Sequence, residues 1–129
     1  MDGTIAFVHR FLTSLFFTDI IEILALVALL RFVFRRPQIT LTHAVTAGLF
    51  ASFMTIPYVW FVFPYLTHWP SGLYPLIAAE TFAFIVEALF YRAFLKVGWG
   101  TAFALSLICN VVSYFLGPFL RTHGLWLYW

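Results

Sequence analysis

A chain of 129 residues that is 64% hydrophobic, 22% aromatic and 9% charged has too few polar groups to cover a water-facing surface; soluble domains run to about half apolar and about a quarter charged. A mean hydropathy of +0.99 points to a bilayer as the solvent, and a net charge of +2 is too small to suggest a nucleic-acid partner. The lone cysteine, Cys109, excludes an intramolecular disulfide and leaves the redox compartment open.

The expected fold is all-α: one transmembrane domain over residues 1–129, an integral membrane four-helix bundle with short loops and antiparallel neighbours. The opening "MDGT" lacks a basic segment, and no small-residue cleavage site follows the first apolar run. The N-terminus is therefore expected to be retained. The first span, about 12–34, carries Asp19 and Glu22 three residues apart, on one helical face. "RRPQIT" separates it from a second span at about 42–63. Ala44, Gly48 and Ser52 there recur every four residues, a small-residue row that lets helices approach closely. Pro57 is expected to kink this helix and free a carbonyl. After "PYLTHWPSGLY" the third span, about 75–95, places Glu80 and Glu87 seven residues apart on one face, which Tyr91 continues. "KVGWG" leads into a fourth span at about 100–120, where Ser106, Asn110, Ser113 and Gly117 form a polar and small stripe. The end "GLWLYW" reads as an interfacial anchor.

Basic residues set the expected orientation. Arg31, Arg35, Arg36, Arg92 and Lys96 flank the first and third loops, Arg10 and Arg121 lie near the termini, and the second loop has none. Loops rich in Lys and Arg stay cytoplasmic, so both termini are expected on the outer side of a prokaryotic cytoplasmic membrane. Trp60, Trp69, Trp126 and Trp129 then fall near the outer interface and Trp99 near the inner one, where indole rings are favoured. Arg35 and Arg36 serve as inner anchors. Arg92, five residues beyond Glu87, snorkels to lipid phosphates or pairs with a span carboxylate.

The carboxylates carry the functional question. An acidic side chain at mid-membrane costs about 2.5–3.5 kcal/mol on insertion scales, so such groups face protein. A carboxyl there carries a proton unless a cation compensates its charge. Glu22, Glu87 and Asn110 fall near mid-depth and are expected to meet, with Asp19, Glu80 and Ser113 nearer the outer side and Ser106 on the same stripe. The bland role is glue, each polar group bonding another. The functional role is a proton or cation site that Asn110 orients. His9, His68 and His123 fall on the outer side and are weak candidates for a metal, since no two share a ligand spacing. Cys109 reads as a small core residue. The chain has no motif for covalent haem or a nucleotide, and no nucleophile elbow or zinc protease motif. Contact with lipid or a lipid-like cofactor is open.

"EALFYR", Glu87 to Arg92, resembles the E-E-x-x-x-R motif of the CAAX-type intramembrane proteases. The second glutamate is Ala88 here, and the fourth span has none of the histidines that the family places on later helices. The resemblance ends at six residues and implies no protease activity. The longer pattern from Ala79 to Gly117, E-x6-E-A-x2-Y then S-x3-N-x2-S-x3-G, looks like that of small prokaryotic four-helix membrane proteins, a likeness that implies a fold and no activity.

The leading expectation is an accessory subunit of a larger membrane complex, with no catalytic activity of its own. Its minimal loops and seventeen phenylalanines suit flat contact with partner helices and lipid. The alternative is a small proton- or cation-coupled transporter or channel, working as a homo-oligomer. An intramembrane enzyme is remote.

Overall fold

The computed structural model describes residues 3–66 and 73–125. Of these, 87% are helical, and none is in a strand. Helix α1 spans Gly3–Ala28 and continues as a π-helical turn, Leu29–Val33. Then come α2 (Leu41–Phe61), the single turn α3 (Phe63–Leu66), α4 (Leu73–Phe94) and α5 (Trp99–Thr122). His68, Ser71, Trp69, Trp126 and Trp129 lie outside the described residues.

Three segments, Leu41–Tyr65, Leu73–Phe94 and Trp99–Thr122, are long and apolar enough to cross a membrane. Helix α1, which carries Arg10, Asp19 and Glu22, is not among them. It starts at Gly3 rather than near 12, because hydropathy marks the apolar stretch whereas helical hydrogen bonding runs on through His9 and Arg10. α2 runs through Pro57 to Phe61, and α5 through Pro118 to Thr122.

Local chemistry accounts for several ends. Thr40 caps α2, its hydroxyl accepting from the His43 N–H at 3.2 Å. The π turn closes through Phe34 N to Leu29 O and Arg36 N to Leu30 O, each at 2.8 Å. Arg35 follows with φ +47°, and Lys96, two residues past the end of α4, has φ +53°. These left-handed residues reverse the chain where glycine is more usual.

The long helices pack in a cycle, α1 on α2, α2 on α4, α4 on α5 and α5 on α1. Sequential neighbours run antiparallel. Phe7 and Phe11 meet Phe61 while Glu22 meets Ser52. Tyr58 meets Phe82, and His43 bonds the Phe94 carbonyl at 3.0 Å. Ser106 bonds the Phe84 carbonyl while the Arg92 guanidinium lies 5.5 Å from the Trp99 ring. One end of the molecule therefore holds the α1 start and α5 finish, and the other holds Arg31, Arg35, Arg36, Arg92 and Lys96.

The apolar core lies toward that cationic end. Leu26, Leu30, Ile39, Leu95, Val97 and Leu105 fill it with Tyr91, around the small faces of Ala44, Ala47, Ala51 and Ala102. At the terminal end, edge-on aromatic contacts of Phe7 and Phe11 with Trp60 and Phe61 tie α1 to α2. Between the two, α2 comes close to α1 at Gly48: a Cβ there would come 2.8 Å from Ile23 Cγ1 and 3.2 Å from Ile23 Cα.

Candidate functional site

Two carboxyl groups sit just above that core. Glu22 is 2% exposed and Glu87 1%, so nearly all of their polar contacts must come from protein. Glu22, on α1, accepts from Ser52 of α2 at 2.6 Å and from Ser113 of α5 at 3.0 Å, one on each oxygen. Glu87, on α4, accepts from Thr55 of α2 at 3.0 Å on Oε1 and from the Asn110 amide of α5 on Oε2. The Ser106 hydroxyl lies 3.5 Å from the same Oε2 but 2.8 Å from the Phe84 carbonyl, so its one hydrogen belongs to the carbonyl. Asn110 also donates to the Ser106 carbonyl at 2.9 Å, and Ser113 Oγ lies 3.1 Å from the Asn110 carbonyl, which links the two carboxyl groups through α5. Cys109 is fully buried, with its thiol 3.9 Å from the Glu22 carbonyl.

Helical periodicity explains the convergence. Gly48, Ser52 and Thr55 share a face of α2, and Ser106, Asn110 and Ser113 share a face of α5. The Gly48 contact draws α2 onto α1 at Ile23, which places the next turn, Ser52, against Glu22. Among the described residues, the polar partners of Glu22 and Glu87 are hydroxyls and one amide, and none is a cation. Arg92 lies instead against Trp99.

A cavity of about 150 Å³ adjoins the pair and is lined from α1, α2, α4 and α5. It runs from Glu22, Glu87 and Asn110 toward the terminal end, past Glu80 to Trp60 and Tyr114. No residue between Glu87 and the cationic end lines it, because the apolar core closes that side. The described lining contains no Lys, Arg or His. The arrangement suits uptake of one positive charge at a buried carboxyl beside a recess of mixed polar and apolar lining.

The remaining candidates fall elsewhere. Asp19 is buried, outside the cavity lining, and its Oδ1 has no hydrogen-bond partner among the described residues. Glu80 is half-buried on the cavity wall. His9 lies in the second turn of α1 and His123 caps the end of α5, where it bonds Phe119 O at 2.9 Å. Among the described residues no three His, Cys, Asp or Glu gather around a point that suits a metal. Of the aromatic anchors that are described, Trp99 is exposed and Trp60 packs on Phe7 and Phe11.

Sequence reasoning missed Thr55 and read Ser52 only as a small residue. The signal was present: Thr55 continues the Gly48–Ser52 face, and a hydroxyl there faces the same interior as Glu87.

Tyr91 gives a direct test of packing around the site. Its side chain is fully buried and its hydroxyl has no hydrogen-bond partner among the described residues. An unsatisfied buried hydroxyl costs about 1–3 kcal/mol. Tyr91→Phe keeps the ring and removes that group, so the variant is expected to unfold at equal or higher temperature than the parent in a detergent melting experiment. A clear loss of stability would assign the hydroxyl a partner. No protein-family model, curated protein or solved structure matches the chain.

Proposed function

We propose that the chain is a membrane-spanning four-helix bundle whose buried pair, Glu22 and Glu87, takes up a proton or small cation from one face, as the working site of a small proton- or cation-coupled transporter or channel. The observation that carries this reading is the cavity: it brings Glu22, Glu80 and Glu87 together with Asn110, and its described wall has no cation to neutralise them. A carboxyl pair kept only as glue would need no recess beside it. Four helices leave little room for a private pathway beyond the apolar core, so a homo-oligomer is the working unit. Reconstituted vesicles carrying an internal pH indicator test the reading. Acidification or cation exchange should depend on the protein, and Glu87→Gln should remove it. Flux equal to that of protein-free vesicles would end the transport reading.

The accessory-subunit reading rests on a different observation, the broad apolar exterior, where Leu24, Phe32, Leu107 and Phe115 are all more than half exposed. A bilayer covers such a surface as well as a partner helix does. Mild detergent extraction separates the two: a fixed set of larger subunits favours the subunit, and a clean homo-oligomer favours the transporter.

The proposed orientation places both termini outside and the cationic end at the cytoplasm. Gln38 lies in the α1–α2 loop and is exposed. A cysteine placed there is expected to react with a membrane-impermeant thiol reagent only after the cytoplasmic side is opened. Native Cys109, fully buried, gives little background. Labelling at Gln38 from outside intact cells would reverse the orientation and leave the fold untouched.

A further inference from the structure

We infer that Ser52, Thr55 and Ser113 form a proton-responsive set of donors, each swinging its single hydroxyl hydrogen between a carboxylate oxygen and a backbone carbonyl of its own helix. The inference rests on the proposed proton or cation site and narrows its ligand to the proton.

The distances on each hydroxyl carry the argument. Ser52 Oγ lies 2.6 Å from Glu22 and 3.3 Å from the Gly48 carbonyl. Thr55 Oγ1 lies 3.0 Å from Glu87 and 3.1 Å from the Ala51 carbonyl. Ser113 Oγ lies 3.0 Å from Glu22 and 3.1 Å from the Asn110 carbonyl. Thr55 Oγ1 also lies 3.4 Å from the Ser52 carbonyl, a second acceptor on its own helix. A hydroxyl has one hydrogen and two acceptor lone pairs, so it serves either the carboxylate or a helix carbonyl at a time. With a carboxylate ionised, the hydroxyl hydrogens point at it. When hydronium in the cavity gives its proton to a carboxylate oxygen, water is left behind and a carboxylic O–H forms. That O–H donates to the hydroxyl oxygen, whose own hydrogen rotates onto the helix carbonyl. No O–H bond of Ser or Thr breaks and no heavy atom moves. Both states of each carboxyl are therefore fully hydrogen-bonded, which removes the penalty that an unsatisfied buried polar group carries. Asn110 does not switch: its amide donates to Glu87 in both states.

The same geometry disfavours a metal ion. The carboxylate oxygens are already engaged by O–H and N–H donors from several directions, and a metal would have to displace them. Asp19 on α1, Glu80 and Tyr91 on α4 and Cys109 on α5 are the other titratable groups around the pair; α2 contributes only the hydroxyls there.

The experiment follows the infrared carboxyl band of the purified, lipid-reconstituted protein across pH. Thr55→Ser keeps the hydroxyl and is expected to titrate over the parental range. Thr55→Val keeps the shape and removes the hydroxyl. Its range is expected to move upward by about one pH unit, because the bond donated to the charged carboxylate is stronger than the bond accepted from the neutral acid, and its protonated-carboxyl band is expected to rise in frequency, because the carboxylic O–H loses the oxygen it donated to. Ser113→Ala, at a half-buried position, makes the same comparison where Thr55→Val does not fold. Titration of the folded hydroxyl-deleted variant over the parental range would overturn the switch. Glu22→Gln and Glu87→Gln are controls for the underlying site: a titrating band unchanged in both would overturn the carboxyl reading itself, whatever the hydroxyl variants show.

Discussion

Glu87→Leu is expected to assemble poorly, whereas Glu87→Gln is expected to fold like the parent and lose its proton- or cation-dependent activity. The two substitutions separate glue from function. Leucine removes both acceptor oxygens. Thr55 then turns to the Ala51 carbonyl at 3.1 Å, but one Asn110 N–H loses its carboxylate and keeps only the long, 3.4 Å approach to Ser106 Oγ. A donor left with so poor a partner costs about 1–3 kcal/mol, a large share of the stability of a small domain. Glutamine keeps an oxygen for Asn110 and offers an N–H hydrogen to the Thr55 oxygen. It cannot exchange a proton. Monodispersity and thermal unfolding in detergent report the first effect, and proton uptake by the reconstituted protein reports the second. Parental stability and activity in both variants would remove Glu87 from the site.

Gly48→Ala is the second large effect, and its cause is steric. The added methyl would lie 2.8 Å from Ile23 Cγ1 and 3.2 Å from Ile23 Cα. A β-branched side chain has little rotamer freedom within a helix, and a backbone atom yields only if the helix moves. α1 and α2 must part, and the 2.6 Å contact between Ser52 and Glu22, one turn along, lengthens with them. Overpacking of this kind costs about 1–3 kcal/mol. The expected result is a lower melting temperature together with disturbed carboxyl titration. Ile23→Ala added to Gly48→Ala should recover part of both, because it removes the nearest atom of the clash. A Gly48→Ala variant with the parent's melting temperature and titration would show that this close approach does not hold the site.

Much of the site was legible in the sequence, and the reason is periodicity. The i, i+7 spacing of Glu80 and Glu87 and the Ser106–Asn110–Ser113 stripe each mark one helical face, and apolar surroundings leave such faces only the interior. The contact of Glu87 with Asn110 follows from that. What periodicity does not encode is which helix supplies the hydroxyls. Thr55 sits in "FMTIPY", where a lone threonine resembles any half-buried residue; its meeting with Glu87 depends on the offset between α2 and α4. Asp19 shares a face with Glu22 by spacing, yet it is outside the cavity lining, with one oxygen unpartnered among the described residues. A three-residue step turns a helix by 300°, and that residual angle is enough to separate the two roles. The π turn at Leu29–Val33 was also invisible: "LLRFV" is an ordinary helical sequence, and only the hydrogen bonds of Phe34 and Arg36 reveal the wider winding.

The cavity stops at Glu22 and Glu87, and Leu26, Leu30, Tyr91 and Leu105 close the other side. In the proposed membrane setting this asymmetry has an electrical meaning. Water in a recess has a high dielectric constant and carries little of an applied field, so the potential falls mainly across the dry plug. A proton reaching the pair from the recess crosses little of the potential, and its occupancy there should hardly respond to voltage. A proton passing on through the plug crosses most of it, worth about 2.3 kcal/mol per 100 mV for each charge. That energy is roughly a fiftyfold bias in equilibrium. Membrane potential would therefore act on the exchange between the carboxyl pair and the cationic face, making the short apolar plug the voltage-dependent element of the molecule.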